Sequence, residues 1–466
     1  MTEAVPPGQK ALQVNLDRSR YGTIAEIGAG QEVAGWFFHV GGAAGTVAKS
    51  ISAYDMTVSD GIYGKSPRYV SEERLRQMLD REYAALIASL APTRGDATAF
   101  FAFADTVATR SYTRAEDGAG WLGIRFQHHP GAEPSQIVLH VRLLDPETVL
   151  QQEALGLLGV NLIYAAAFLH HDVDAFIASL GDSLGRERLE LDFLDVAGPV
   201  FAGHDPRHLS LGLLQKQLAR AVMFGADGRA VEPSLVLYKK ALSVLPGPFR
   251  PVLQADLDRL GAADDQLRGD GRTDERRLSL AQIATVDLHG TADATADVED
   301  LLARVDVLSA VGLPTLVTDL AEPHRLGAYL GRYTKTRVVF VVGAGAFQEV
   351  FREKRFEALD GGVFEALSRL FKRWVRVAVF PSPDHHTGVP LTARTIPVGP
   401  EYAHLLQHLL DSGLIHELEM PGVPAPERLP ADLVEDLRRG GAAWEPAVPA
   451  AAVATIKARR LFGYGG

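Results

Sequence analysis

The chain has 466 residues, 47% hydrophobic and 23% charged, which is a globular composition and too long for one ordinary core. Lys+Arg 47 against Asp+Glu 58 give a net charge of −11, so nucleic acid and anionic membrane are repelled over most of the surface. The absence of cysteine excludes disulfides, thiolate metal sites and cysteine nucleophiles, and fits a reducing cytoplasm.

Residues 1–20 are polar, carry Pro6 and Pro7, and are expected to lie loosely on the surface. No basic stretch followed by an apolar core is present there, so no signal peptide is expected. Residues 21–68 then hold nine glycines among singly placed charges, a density that implies positive φ angles or close backbone approach. Ser71, Glu72 and Glu73 open a helix in which Leu75, Met78, Leu79, Tyr83, Leu86 and Ile87 recur at helical spacing, and which is expected to stop near Pro92. Strands are predicted at 99–104, 121–126 and 136–144, helices at 146–170 and 173–184, and a strand at 188–193. The uncharged apolar run 154–169 has sixteen residues with Asn161 inside it. It falls short of the ~20 residues needed to span a bilayer, so it reads as a buried helix and no membrane partner is expected.

A helix at 209–221 and an extended segment at 235–244 follow. Residues 262–277 are charged, glycine-punctuated and nearly free of apolar side chains, the pattern of a linker or exposed loop. From Ile283 apolar strands alternate with amphipathic helices at 297–311, 324–333 and 401–410, the rhythm of a parallel sheet covered on both faces. The tail from Pro421 is rich in Pro and Ala. The fold class is therefore α/β: an N-terminal mixed α/β domain (1–255), a linker (262–277), a C-terminal parallel-sheet, Rossmann-like α/β domain (278–420) and a tail (421–466).

The segments AEIGAGQEVAGWFF, GTVAKSISAYDMTVSDGIYG, LGLLGVNLIYAAAF, AVMFGADG and LDGGVFEALSRLF resemble a family of bacterial proteins of similar length, over most of residues 10–420. Its members go by the labels TonB-dependent receptor or nicotinate-nucleotide adenylyltransferase. The first label implies a signal peptide and a 22-stranded outer-membrane barrel built from ~10-residue alternating segments, which this sequence lacks. The second implies an HxGH-type motif to hold a triphosphate; here His289-Gly290 is followed by Thr291 and Ala292.

Residues 41–50 (GGAAGTVAKS) come close to a P-loop. The apolar run 36–40 stands as the preceding strand, Gly42 and Gly45 as turn glycines, Lys49 as the phosphate lysine and Ser50 as the magnesium hydroxyl. Ala43 and Ala48 occupy the two places that need glycine, which leaves open a looser anion site at Lys49 or a tightly packed turn. A GxG occurs at Gly28-Ala29-Gly30, with Val33 at the third glycine position. A second occurs at Gly343-Ala344-Gly345 between a strand and a helix, with Gln348 at that position. The second context suits a ligand at a helix N-terminus and is also ordinary packing geometry.

Asp55 and Asp60 read as acid/base or metal carboxylates near Lys49, or as turn caps. Asp105, ending a buried strand, occupies the place where α/β proteins put working residues, and Arg110 is positioned to meet an anionic ligand or surface acids. The histidine doublets 128–129, 170–171 and 385–386 do not suggest a metal site one by one, since adjacent side chains diverge. Asp384-His385-His386, in a loop, is the best of them.

Two functions fit. In one, the protein is an enzyme or sensor for a small anionic, nucleotide-like or carboxylated molecule. Lys49 supplies charge, backbone N–H groups cradle oxygens, and Asp55, Asp60 or Asp105 handle protons or a magnesium ion carried by a phosphorylated ligand. In the other it is a non-catalytic homo-oligomeric scaffold whose glycines let subunits pack closely.

Overall fold

The computed structural model describes residues 5–110, 117–269, 276–285, 297–384, 387–420 and 426–465. The chain divides into two compact units, Met1–Arg220 and Ala221–Gly466, and both are α/β.

The first unit opens with a helix, α1 (Pro7–Leu16), where a loose surface segment was expected. Pro7 sits at its first position, and its Ala11 and Val14 are fully buried. Strand β1 (Arg20–Ile27) follows, then α2 (Glu32–His39), β2 (Val47–Ile51), α3 (Met56–Tyr63), α4 (Glu72–Arg94) and β3 (Ala99–Ala108). The near P-loop is thus built the other way round. Residues 36–39 belong to a helix, Gly41 and Gly42 turn the chain with positive φ, and Lys49 and Ser50 lie in a strand. Ser71 caps α4 as its sequence indicates, but the helix passes through Pro92 to Arg94.

Strands β2, β1 and β3 are parallel neighbours, and β4 (Gly118–Phe126), β5 (Ser135–Leu143) and β6 (Leu189–Ala197) extend the sheet antiparallel in the order β2-β1-β3-β4-β5-β6. The sheet is covered on both faces, which explains the unbroken apolar run of β3. Ala102 and Ala104 pack under α4, whereas the Phe103 ring meets Gly159 of α5 (Thr148–Phe168) on the opposite face. Helix α6 (Val173–Leu180) packs on α5, and α7 (Pro206–Gln215) closes the unit.

In the second unit the sheet begins with β7 (Ala221–Phe224), β8 (Ala230–Val231) and β9 (Ala241–Pro246). It continues with β10 (Arg277–Ala284), β11 (Thr315–Thr318), β12 (Val338–Gly343) and β13 (Val375–Phe380). A two-residue ribbon pairs β14 (Ser382–Pro383) with β15 (Pro390–Leu391), and β16 (Ile415–Glu417) ends the sheet in the order β16-β13-β12-β9-β10-β11-β7-β8. The six strands from β16 to β11 are parallel, and β7 and β8 form an antiparallel edge. Because β9 is central to this sheet, the division falls at Arg220 and not near residue 255. The stretch 262–277 is helical as far as Gly269, and residues 270–275 lie outside the described residues. Among the described residues, no helix is long and apolar enough to cross a membrane.

Candidate functional site

Parallel pairing of β1 with β3 sets Glu26 beside Asp105 near the carboxyl ends of both strands. From there β1 leads to β2 on one side and β3 turns into β4 on the other. The carboxyl edge between them is therefore a topological switch point, where open α/β sheets place ligands. Both carboxyls are buried, at 2% and 1% exposure. Glu26 accepts the backbone N–H groups of Val33 at 2.9 Å and Ala34 at 3.0 Å, and so neutralises the first turn of α2 from within. Asp105 accepts one bond, from Ile27 N at 3.2 Å, and its Oδ2 has no partner.

Burial pushes the Glu26 carboxyl up to about 7 against the pull of its two N–H donors, with Glu32 adding a smaller push. Burial raises Asp105 well above the carboxylate range, and the neighbouring Glu26 charge raises it further. Asp105 has the deeper burial and the fewer donors, so it keeps its proton longer. In both carboxyls burial favours the protonated form.

The glycine-rich loop follows β1 directly, two residues after Glu26. Gly28 has φ +99, and a β-carbon on it would stand 2.2 Å from Val107 O. Gly30 N donates to the Tyr54 hydroxyl at 3.0 Å, tying this loop to the one that leaves β2.

Lys49 Nζ pairs with Glu82 at 2.5 Å, and the Tyr63 hydroxyl donates to the same carboxylate at 2.8 Å. Burial, followed by the Glu82 charge, raises the Tyr63 phenol. Asp60 binds Arg74 and the Tyr69 hydroxyl, each at 3.1 Å. Asp55 caps α3 by accepting Val58 N at 3.0 Å. Lys49 and Asp60 therefore meet partners on α4, whereas Asp105 lies on the face toward α2 and α5. Ser50 is half-buried in β2, and Gly42 and Gly45 back onto Asn15 of α1. Arg110, two residues beyond β3, gives its backbone N–H to Gln151 at 2.8 Å. Gly343 and Gly345 belong to the second unit, where Gly345 N donates to Ser382 Oγ at 3.0 Å and the helix that follows is a five-residue turn. His385 and His386 lie outside the described residues; Asp384 caps its own loop through Thr387 N at 2.8 Å.

Two further features were not singled out from the sequence. Glu26 is one: it lies two residues before the GxG, but only strand register reveals its neighbour. The other is His140 Nδ1 at 2.5 Å from Asp192, with the imidazole 4.8 Å from the Trp121 ring. A register shift between β5 and β6 leaves Asp192 unmatched in the ladder and re-aims it, as bulges do.

No protein-family model matches the chain, and no curated protein matches it. Among solved structures, the competence/damage inducible protein CihA from Agrobacterium tumefaciens is similar at 16% identity and TM-score 0.25, covering 36% of this chain and 99% of that one. A CinA superfamily protein from Enterobacter cloacae is similar at 15% identity and TM-score 0.25, covering 35% of this chain and 94% of that one. At this level the likeness carries no argument about function.

Proposed function

We propose that the first unit binds a small molecule bearing a carboxylate or phosphate at the carboxyl edge of β2, β1 and β3, as an enzyme or a sensor. The observation that carries this reading is the buried Glu26–Asp105 pair at the switch point, with one Asp105 oxygen unpartnered. A protonated Asp105 donates a hydrogen bond to an anionic oxygen, and the pair can then give or take the proton. Arg110 supplies the cationic contact. A phosphorylated ligand would bring magnesium with it. Lys49 plays the smaller part, since Glu82 already matches its charge.

Thermal melts with nucleotides, phosphate esters and carboxylic acids, with and without magnesium, test the reading. A ligand that raises the melting temperature of the full chain should lose its effect with Arg110→Ala and be weakened by Asp105→Asn. It should keep its effect with Lys49→Ala. No shift across the panel overturns the reading.

A second reading, assembly of copies of this chain, is favoured by Tyr54, Met56 and Val58, which are 66%, 62% and 53% exposed around the start of α3. Met56→Asp should then convert an assembled species to monomers in light scattering, whatever the ligand result.

A further inference from the structure

Two of the histidine doublets meet across the fold. His128 follows β4 and His170 follows α5, and their rings lie 6.1 Å apart centroid to centroid. His129 stands 4.3 Å from His128, and His171 stands 5.7 Å from His170. His170 Nδ1 is 3.0 Å from Ala166 O, and His129 Nδ1 is 2.9 Å from Pro130 O. A carbonyl only accepts, so in each ring Nδ1 carries the proton and Nε2 keeps its lone pair. Metal-ligating histidines are held in this way. His128 Nδ1 is sealed from water and has no partner.

Burial lowers the pKa of His128 and His170, chiefly by desolvation. The nearby Arg20 charge adds to this lowering and is itself matched by Asp17 at 3.0 Å. With metal–nitrogen bonds of about 2.0–2.1 Å and a ring radius of roughly 1.1 Å, two imidazoles on one ion have centroids about 5–6 Å apart. The His128–His170 spacing, 6.1 Å, lies just beyond that range.

We propose that His128 and His170 form a site for a borderline divalent transition metal such as Zn²⁺, Ni²⁺ or Cu²⁺. Nitrogen donors without carboxylate or thiolate select this class over Mg²⁺ and Ca²⁺, which take oxygen ligands. The remaining coordination positions fall to water. The site stands apart from the carboxyl pair: Phe126 just before it pairs with Phe101, four residues up β3 from Asp105.

The test uses the full chain. Calorimetric titration with Zn²⁺ should show one equivalent bound, and Cu²⁺ should give an electron paramagnetic resonance spectrum with imidazole nitrogen couplings on the unmutated protein. His128→Ala and His170→Ala should each weaken Zn²⁺ binding by at least about tenfold. His404→Ala, an exposed histidine on the helix at Pro400–Asp411, should bind as the wild type does. Metal-free melting temperatures check that the variants fold. Absence of binding by the wild type, or equal binding by both ligand variants, overturns the proposal.

Discussion

Gly28 and Gly35 lie in one short segment and carry opposite expectations. At Gly28 the backbone is left-handed and a β-carbon would collide with Val107 O. Gly28→Ala should therefore cost about 2 kcal/mol or more. At Gly35, inside α2, an added β-carbon meets nothing within 4 Å. Gly35→Ala should stabilise by about 0.5–1 kcal/mol through helix propensity, and urea unfolding midpoints read both effects. The carboxyl pair fixes a pH dependence whose sign follows from its raised pKa. Glu26 moves from 4.5 in the unfolded chain to about 7 in the folded one. The folded state thus holds a proton that the unfolded state has released. The associated stability is complete below pH 4.5, falls as pH rises, and is lost above about 7, a change of about 3 kcal/mol. Asp105→Asn keeps an acceptor for Ile27 N–H and removes the like charge. Its stability relative to wild type should rise steadily from pH 4.5 to 8; a difference flat in pH would contradict the raised pair.

At the scale of elements, α1 is held by an ammonium with no exposure to water. Lys10 Nζ bonds Asn161 Oδ1 at 2.8 Å, Ser179 Oγ at 2.7 Å and Asp182 at 2.7 Å, pinning α1 to α5 and the end of α6. Lys10→Met fills similar space but strands those acceptors, so it should cost about 3 kcal/mol or more in urea unfolding. A loss below about 1 kcal/mol would show that the contacts contribute little. The same helix marks the boundary of what local pattern reveals. Helix α4 and strands β12 and β13 were legible because their apolar spacing is written within one segment. A short helix that buries a lysine has no such stripe, and the β-prone run Trp36–Val40 gave no sign that Val33, Ala34 and Phe37 form the buried face of a helix. Asp105 could be named from its place at a strand end, but Glu26 could not be matched to it without register. The histidine doublets are illegible for the same reason: each diverges from its own neighbour, while the ring that meets it lies about forty residues away along the chain.

At the scale of the whole molecule, the boundary at Arg220 makes the first unit a foldable piece. A fragment of residues 1–220 should melt cooperatively by circular dichroism, whereas a fragment of residues 256–466 lacks β7, β8 and the central β9 and should not. A cooperative melt from the shorter C-terminal fragment would refute this division. The Lys10 contacts also set an order of events during synthesis. Asn161 lies 151 residues after Lys10 in the chain, and Ser179 lies 169 after it. At about 5–20 residues per second, the ribosome delivers these acceptors roughly ten to thirty seconds after the helix that needs them. Until then Lys10 stays hydrated, and α1 has only its contacts with α2 and the turn after it, such as the Asn15 bonds to Phe37 O and Gly41 O. Helix α1, made before α5 and α6, locks fully only once both are in place.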